Sequence, residues 1–319
     1  MAQTLQIIMY HYVRELPYTR YPNIKGLLLS EFKEQLRFLR DSGKRFVSVD
    51  QVLEAAQGGR LENDSVLLTF DDGYLDHYTN VFPLLDAMGI PAFFSMPGKI
   101  IAEKELLDVN RIHFVLASTP VEELVQMSFE YMDRYRGREF DIPSNQELYQ
   151  SLAKPNRFDN ADTAYLKRLL QVELPEALRE KITRQMFARC IGVSERCFVD
   201  ELYLTLDQVK IMSRCGMSWG IHGYDHYWMN RLEEKLLKKD IAAALDVFDG
   251  IVPQNRWMCC YPYGSVSGNV VECIRSLGAA GGFTTEVRTA DLSTDSLYRL
   301  PRWDTNDFPP KSNRYLHGI

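Results

Sequence analysis

Two aspartates, Asp71 and Asp72, stand side by side in TFDDGYLDHY, between an apolar run and Gly73. Adjacent carboxylates repel, so a chain in need only of solubility gains nothing by setting them there. Two more polar clusters follow apolar runs in the same way: His222-Gly-Tyr-Asp-His226 and Tyr261-Pro262-Tyr263-Gly264. His222 and His226 come to one side of the backbone if their segment is helical or turns sharply. Two neutral imidazoles and one carboxylate leave a divalent ion with open positions for water and substrate. One aspartate can then be the ligand while the other takes a proton from the attacking water, and the cation offsets their repulsion. Each cluster alone has a plainer reading. Asp-Asp-Gly and Tyr-Pro-Tyr-Gly make turns, and two histidines at this spacing often mark a solvated face. A zincin needs glutamate directly after the first histidine, where Gly223 stands. The recurrence at three predicted strand ends favours a site.

The elements that must carry these clusters alternate. Residues 5–13 predict a strand, and Phe32, Leu36 and Leu39 share one face of a helix over 30–43, closed by Gly43. Strands are expected over 65–70 and 91–96, with a helix over 81–88 between them. Residues 101–200 are mostly helical, with periodicity over 121–135 and 161–190, and read as a lid or interface inserted in a single domain spanning 1–319. Alternation then resumes. Thr205 with Gln208, and Asn230 with Glu233, predict capping boxes for helices over 205–215 and 231–248. Strands are expected over 217–221, 257–261, 281–285 and 298–303. About seven strands with intervening helices argue for a parallel α/β barrel or open α/β sheet, whose chemistry sits at the C-terminal strand ends.

Composition narrows the partners. The chain has 319 residues, 45% hydrophobic and 25% charged, with a formal net charge of -6. No long basic run appears, which argues against nucleic acid or an anionic membrane as the main partner. The N-terminal MAQTLQIIMYHYVRE has neither the basic flank of a signal peptide nor the length of a membrane span, so a cytoplasmic protein is expected. Six scattered cysteines without a CxxC pair read as small buried hydrophobes, not as a structural zinc site.

TFDDG followed by HxxxH resembles the polysaccharide deacetylase family (NodB homology, carbohydrate esterase 4). YPYG, preceded by YHYV, is similar to the subgroup acting on surface polysaccharides and their precursors. The likeness spans residues 5–100 and 201–308. It implies a distorted (β/α)7-type barrel with a helical insertion, and metal-dependent removal of an acetyl or formyl group from an amino sugar in surface polysaccharide or O-antigen biosynthesis. That sugar is expected free, nucleotide-linked or within a glycan. By motif position Asp71 is the base, and Asp72, His222 and His226 hold one divalent ion, zinc first, with cobalt, nickel, manganese and iron as alternatives. The Tyr263 backbone N–H would help hold the oxyanion, and Tyr261 and Pro262 would line the substrate groove.

The departures from that pattern are specific. Gly223 stands where many members have Ser or Thr, and Cys260 where many have an arginine that orients the base. The late Leu-x-His that protonates the leaving amine has no counterpart. RLPRWDTND offers Arg299, Arg302, Asp304 and Asp307 instead; Arg302 is placed among the catalytic residues, and Trp303 and Asp304 against the substrate. For the acid, His11 after the first strand and His113 in the helical insertion rank ahead of His77, expected partly exposed, and His317 near the chain end. The alternative readings are a catalytically impaired carbohydrate-binding barrel and a metal-dependent amidase acting on a non-sugar substrate.

Overall fold

A computed structural model describes residues 3–62, 64–156 and 159–317. Nine strands lie among them: β1 (Thr4–Tyr10), β2 (Arg45–Phe46), β3 (Ser65–Phe70), β4 (Ala92–Met96), β5 (Ser218–Ile221), β6 (Trp257–Cys260), β7 (Ala279–Phe283), β8 (Ala290–Asp291) and β9 (Trp303–Asp304). Every residue of β3 (SVLLTF) and of β4 (AFFSM) is buried. Unbroken burial of this kind belongs to parallel strands covered on both faces. The order is β8-β1-β3-β4-β5-β6-β7, all pairs parallel except β1 with β8.

The last strand region closes the sheet. β9 pairs with β1 through Ile8–Trp303 and Met9–Asp304, and Leu300, just ahead of it, bridges Phe283 of β7. The Thr284 N–H donates to the Leu300 carbonyl, and the Leu300 N–H to Gly282. Residues 300–304 therefore link both flanks, giving the distorted seven-stranded α/β barrel that was expected.

Strand alternation decides what faces inward. Leu5, Ile7, Leu67, Phe93, Met258 and Phe283 share one apolar cluster. Further along the same faces come Thr69, Asp71 and Ser95, all buried. The interior thus turns polar toward the C-terminal ends of the strands, where barrel chemistry is sited.

Two compact units divide the chain. The first, Met1–Glu15, Gly26–Lys104 and Asp200–Ile319, is the barrel; the second is Glu105–Val199 together with Leu16–Lys25. The helical segment expected over 101–200 therefore also takes in a short piece from the N-terminal region. In the second unit, the single helix expected over 161–190 is two, Ala161–Arg168 and Glu176–Ile191, with a π-turn Leu169–Glu173 between them. Pro175 caps the latter helix; it offers no N–H and biases the residue before it out of helical geometry. Arg111, buried on the helix Asp108–Ser118, fastens this unit by bonding Asp108 and Glu195. No helix among the described residues is long and apolar enough to cross a membrane.

Local corrections follow from capping and packing. The Thr205–Gln208 box forms. The Asn230–Glu233 box does not: Met229–Arg231 is a 3-10 turn, and the helix begins at Glu234 without a side-chain cap. Cys259, Cys260 and Cys273 are buried as expected, but Cys197 and Cys215 are exposed. Gly220 of β5 fits tightly between its neighbours: a Cβ there would lie 2.3 Å from the Met258 carbonyl oxygen of β6 and 2.4 Å from Phe93 Cζ of β4. Gly220→Ala is expected to lower stability by about 3 kcal/mol, the upper end of ordinary overpacking. Equilibrium unfolding in urea checks this; a loss under about 1 kcal/mol would mean the strands part to admit the methyl.

Candidate metal centre and active site

Three strand ends deliver the site. β3 ends at Phe70, and the chain then turns through Asp72 (φ 75) and Gly73 (φ 66). β5 ends at Ile221, followed by Gly223 (φ 70) and His226 (φ 57), so the two histidines meet through a sharp turn and not along a helix. β6 ends at Cys260, followed by Tyr263 (φ 56). Three of the non-glycine residues in the left-handed region thus cluster at these ends. Such strain persists only where surrounding contacts hold it.

Asp72, His222 and His226 are buried, and their ligand atoms lie within 4.8 Å of one another. His222 Nε2 is 3.3 Å and His226 Nε2 3.4 Å from Asp72 Oδ1. Tetrahedral zinc with nitrogen and oxygen ligands at about 2.0–2.1 Å places neighbouring ligand atoms about 3.3 Å apart, so these two edges suit it. The tautomer suits it too. His222 Nδ1 lies 2.7 Å from the Cys260 carbonyl, which can only accept, so Nδ1 carries the hydrogen and Nε2 offers its lone pair toward Asp72. Asp72 Oδ2 accepts from the Tyr74 hydroxyl at 2.6 Å, whereas Oδ1 is buried without a hydrogen-bond donor. A buried carboxylate oxygen left facing two imidazole lone pairs is what a cation would satisfy. Burial alone would raise the Asp72 pKa; hydrogen bonds from His222 and His226 in their protonated forms outweigh it and hold the carboxyl well below its ordinary range.

Asp71 is set apart by its partners. Arg302 grips it bidentately, Nη2 to Oδ2 at 2.8 Å and Nη1 to Oδ1 at 3.0 Å, and Ser95 Oγ donates to Oδ1 at 3.0 Å. Arg302 is itself fully buried, with Nε on the Thr284 carbonyl at 2.9 Å, Nη1 on Thr69 Oγ1 at 3.2 Å, and its guanidinium over the Phe283 ring. Burial pushes the Asp71 carboxyl up, but the Arg302 charge and its hydrogen bonds prevail and keep it far below the usual carboxylate range. Cys260, standing where an orienting arginine was expected, has its Sγ 3.5 Å from Arg302 Nη1. The guanidinium therefore reaches the aspartate from residues 300–304 instead of from β6.

The acid candidates separate. Tyr10 pairs with Phe70, and the Asp71 N–H donates to the Tyr10 carbonyl, so His11 and Asp71 leave adjacent strands side by side. The strand stops at Tyr10, short of the 5–13 expected, and the next residues are fastened to 74–80. Tyr12 stacks on Tyr74 at 3.9 Å, Arg14 pairs with Asp76 at 2.6 Å, and Asn80 donates to the Val13 carbonyl. His11 is half-buried, close enough that a charge on it would be felt at Asp71, Asp72 and His226. His77 is fully buried instead of partly exposed; burial pushes its pKa down to about 4, and its Nε2–H supports the His11 carbonyl at 2.9 Å. His113 belongs to the second unit, where it lines a cavity with Lys25 and Asp159. The His317 side chain lies outside the described residues.

The groove roles expected of Tyr261, Pro262 and Trp303 do not fit their burial. Tyr261 is 0% exposed, with its hydroxyl on the Tyr298 carbonyl, and Pro262 is buried. Trp303 is 3% exposed, with Nε1 on Thr289 Oγ1 and its ring against Phe308 and Tyr315. The side chain of Asp304 caps a 3-10 turn by accepting from the Asn306 N–H. The half-buried aromatics at the metal centre are Tyr263, edge-on to His226 at 4.7 Å, and Trp228, stacked on Tyr263 at 4.6 Å. Residues not anticipated from sequence are Tyr74, Ser95 and Asp240. Ser95 was detectable as the one polar residue of an apolar strand. Asp240, buried between Leu237, Ile241 and Ala244, was detectable as a charge on an apolar helix face.

Arg302→Met would leave a buried carboxylate without its partner, and a stability loss of about 3–5 kcal/mol is expected in equilibrium unfolding. Asp71→Asn added to it removes the orphaned charge and should recover much of that loss. Additive effects in the double-mutant cycle would show that the two are not coupled.

Comparison with known proteins places this chain in a family. The sequence model of the polysaccharide deacetylase family matches residues 58–128 and 180–282, just over half of the chain. The poly-β-1,6-N-acetyl-D-glucosamine N-deacetylase of Escherichia coli (strain K12) is 36% identical over 106 residues, which cover 33% of this chain and 13% of that protein. The match thus spans a small part of that relative's length. Among solved structures, the Streptococcus pyogenes deacetylase PplD, in complex with acetate, superposes with a TM-score of 0.61 at 18% identity, covering 100% of this chain and 99% of that one. IcaB from Ammonifex degensii gives 0.57 at 20% identity, with 98% and 97% covered. At these identities the two structures establish the fold. With the family match, the conclusion is that the chain belongs to the polysaccharide deacetylase family of hydrolases.

Proposed function

We propose that the chain is a divalent-metal-dependent N-deacetylase acting on N-acetylated amino sugars of a surface polysaccharide or its precursor. The observation that carries this reading is the division of labour between neighbours: Asp72 completes a buried His-His-Asp ligand set, while Asp71 is held ionised by Arg302 beside it. The relative named for poly-β-1,6-N-acetyl-D-glucosamine supports N-acetylglucosamine as the sugar and acetyl, ahead of formyl, as the acyl group.

Zinc held by Asp72, His222 and His226 would polarise the amide carbonyl and raise the acidity of water at the site. Asp71 takes the proton of the attacking water. A carboxylate held so far below its usual range is a weak base, so it suits only a water whose acidity has been raised. Oδ1 already accepts from Arg302 and Ser95, whereas Oδ2 accepts from Arg302 alone and retains a lone pair for the proton. The Tyr263 backbone N–H supports the charge that develops on the carbonyl oxygen. His11, next to Asp71 across the strand register and fixed through its carbonyl by His77, donates the proton to the departing amine.

Amine release from N-acetylated β-1,6-glucosamine oligomers by the zinc-loaded protein tests the reading. Asp71→Asn and His11→Ala are each expected to lower kcat by about 10²–10⁴-fold, with zinc still bound. An undiminished rate in His11→Ala would remove it as the acid. Stoichiometric zinc without hydrolysis of acylated sugars would overturn the deacetylase reading, and hydrolysis of simple amides alone would point to a non-sugar amidase.

A further inference from the structure

The two histidine ligands are held by different means. The His222 ring is fixed by its Nδ1–H on the Cys260 carbonyl, but His226 Nδ1 is buried without a hydrogen-bond partner. His226 also has a left-handed backbone, φ 57. The position of its Nε2 therefore depends on the turn 223–226 that carries it. That turn is pinned on both polar sides. Its carbonyls are held by the start of the helix Gly98–Glu103: the Gly98 N–H donates to the Gly223 carbonyl at 3.1 Å, and the Lys99 N–H to that of Tyr224 at 2.9 Å. Its N–H groups converge on one carboxylate from the helix Glu234–Val247. Tyr224 N donates to Asp240 Oδ2 at 2.9 Å and Asp225 N to Asp240 Oδ1 at 3.2 Å. Successive N–H groups aimed into one concavity form an anion nest, here filled by a side chain of the same chain.

We propose that Asp240 is a positioning residue for the metal centre, clamping the turn so that His226 presents Nε2 to the ion. Gly223 makes the clamp possible. Its left-handed φ of 70 favours glycine, and a Cβ at that position would lie 3.0 Å from Asp240 Oδ2 and 3.3 Å from Met229 Cε, so a larger residue would press on the carboxylate. Asp240 is 8% exposed, and a carboxylate is rarely buried on an apolar helix face unless it is hydrogen-bonded. Asparagine has the same shape but one acceptor oxygen, so its amide would face one of the two N–H groups donor to donor.

The inference rests on the metal-centre reading, and one experiment separates the two. Zinc affinity of the metal-free protein is measured by competition with a chromophoric chelator, for the wild type, Asp240→Asn, Asp240→Glu and Thr205→Ala. Thr205→Ala removes the side-chain cap of a different helix, Leu206–Arg214, and controls for general loss of stability. Asp240→Asn is expected to bind zinc about 10–100-fold more weakly, as for other residues that orient a ligand without touching the metal. It should also shift the visible absorption of the cobalt-substituted protein, while Thr205→Ala changes neither. If the asparagine variant does not fold, Asp240→Glu, which displaces both oxygens by a methylene, is expected to show the same direction of change. Wild-type affinity in whichever Asp240 variant folds overturns the proposal. No zinc binding by the wild type overturns the centre itself and the proposal with it.

Discussion

A buried bidentate pair between Arg302 and Asp71 is the interaction on which the rest of this site depends. Two adjacent carboxylates sit almost fully inside a barrel, where each charge is costly and each raises the cost of the other. The guanidinium neutralises one of them permanently, since it cannot release its proton under any ordinary condition. That leaves Asp72 as the single uncompensated carboxylate facing His222 and His226. Removing a partner from such a pair leaves an isolated buried charge, so the arrangement is tolerated only as a whole. The fold supplies the guanidinium at the seam where residues 300–304 join β1 to β7, and barrel closure and site electrostatics are therefore the same event.

The departures from the family pattern are explained in the same terms. Cys260 does not delete the base-orienting arginine; the charge arrives from another segment and passes Cys260 Sγ on its way to Asp71. Gly223 does not weaken the histidine turn; it leaves room for a carboxylate from a different helix. In each case a side chain distant in sequence holds the segment that carries the departure: Arg302 at Asp71 beside Cys260, and Asp240 at the turn that begins with Gly223.

Much of this was legible in the sequence, and the limits have physical causes. β3 and β4 announced themselves as short unbroken apolar runs, and Thr205–Gln208 as a capping box, because those signals are local. Asp72, His222 and His226 were recognisable because motif spacing and strand ends both point at them. The inward turn of Tyr261 and Trp303 was not legible: an aromatic next to a polar motif has the same composition whether its ring faces solvent or the barrel wall. The Asn230–Glu233 box failed because the turn after His226 uses Met229–Arg231 for a 3-10 turn before the helix can start. The break at Pro175 could have been read from proline chemistry alone. Pairings such as Arg302 with Asp71 and Asp240 with the turn 223–226 join residues far apart in the chain, and only the folded register brings them together.

The most direct measurement is anomalous diffraction at the zinc absorption edge from crystals of the zinc-loaded protein. A single strong peak is expected with Asp72 Oδ1, His222 Nε2 and His226 Nε2 each about 2.0–2.2 Å away, and with the Asp71 carboxylate still on Arg302 and not on the ion. A peak ligated by both aspartates, or one elsewhere in the molecule with these three side chains left uncoordinated, would contradict it.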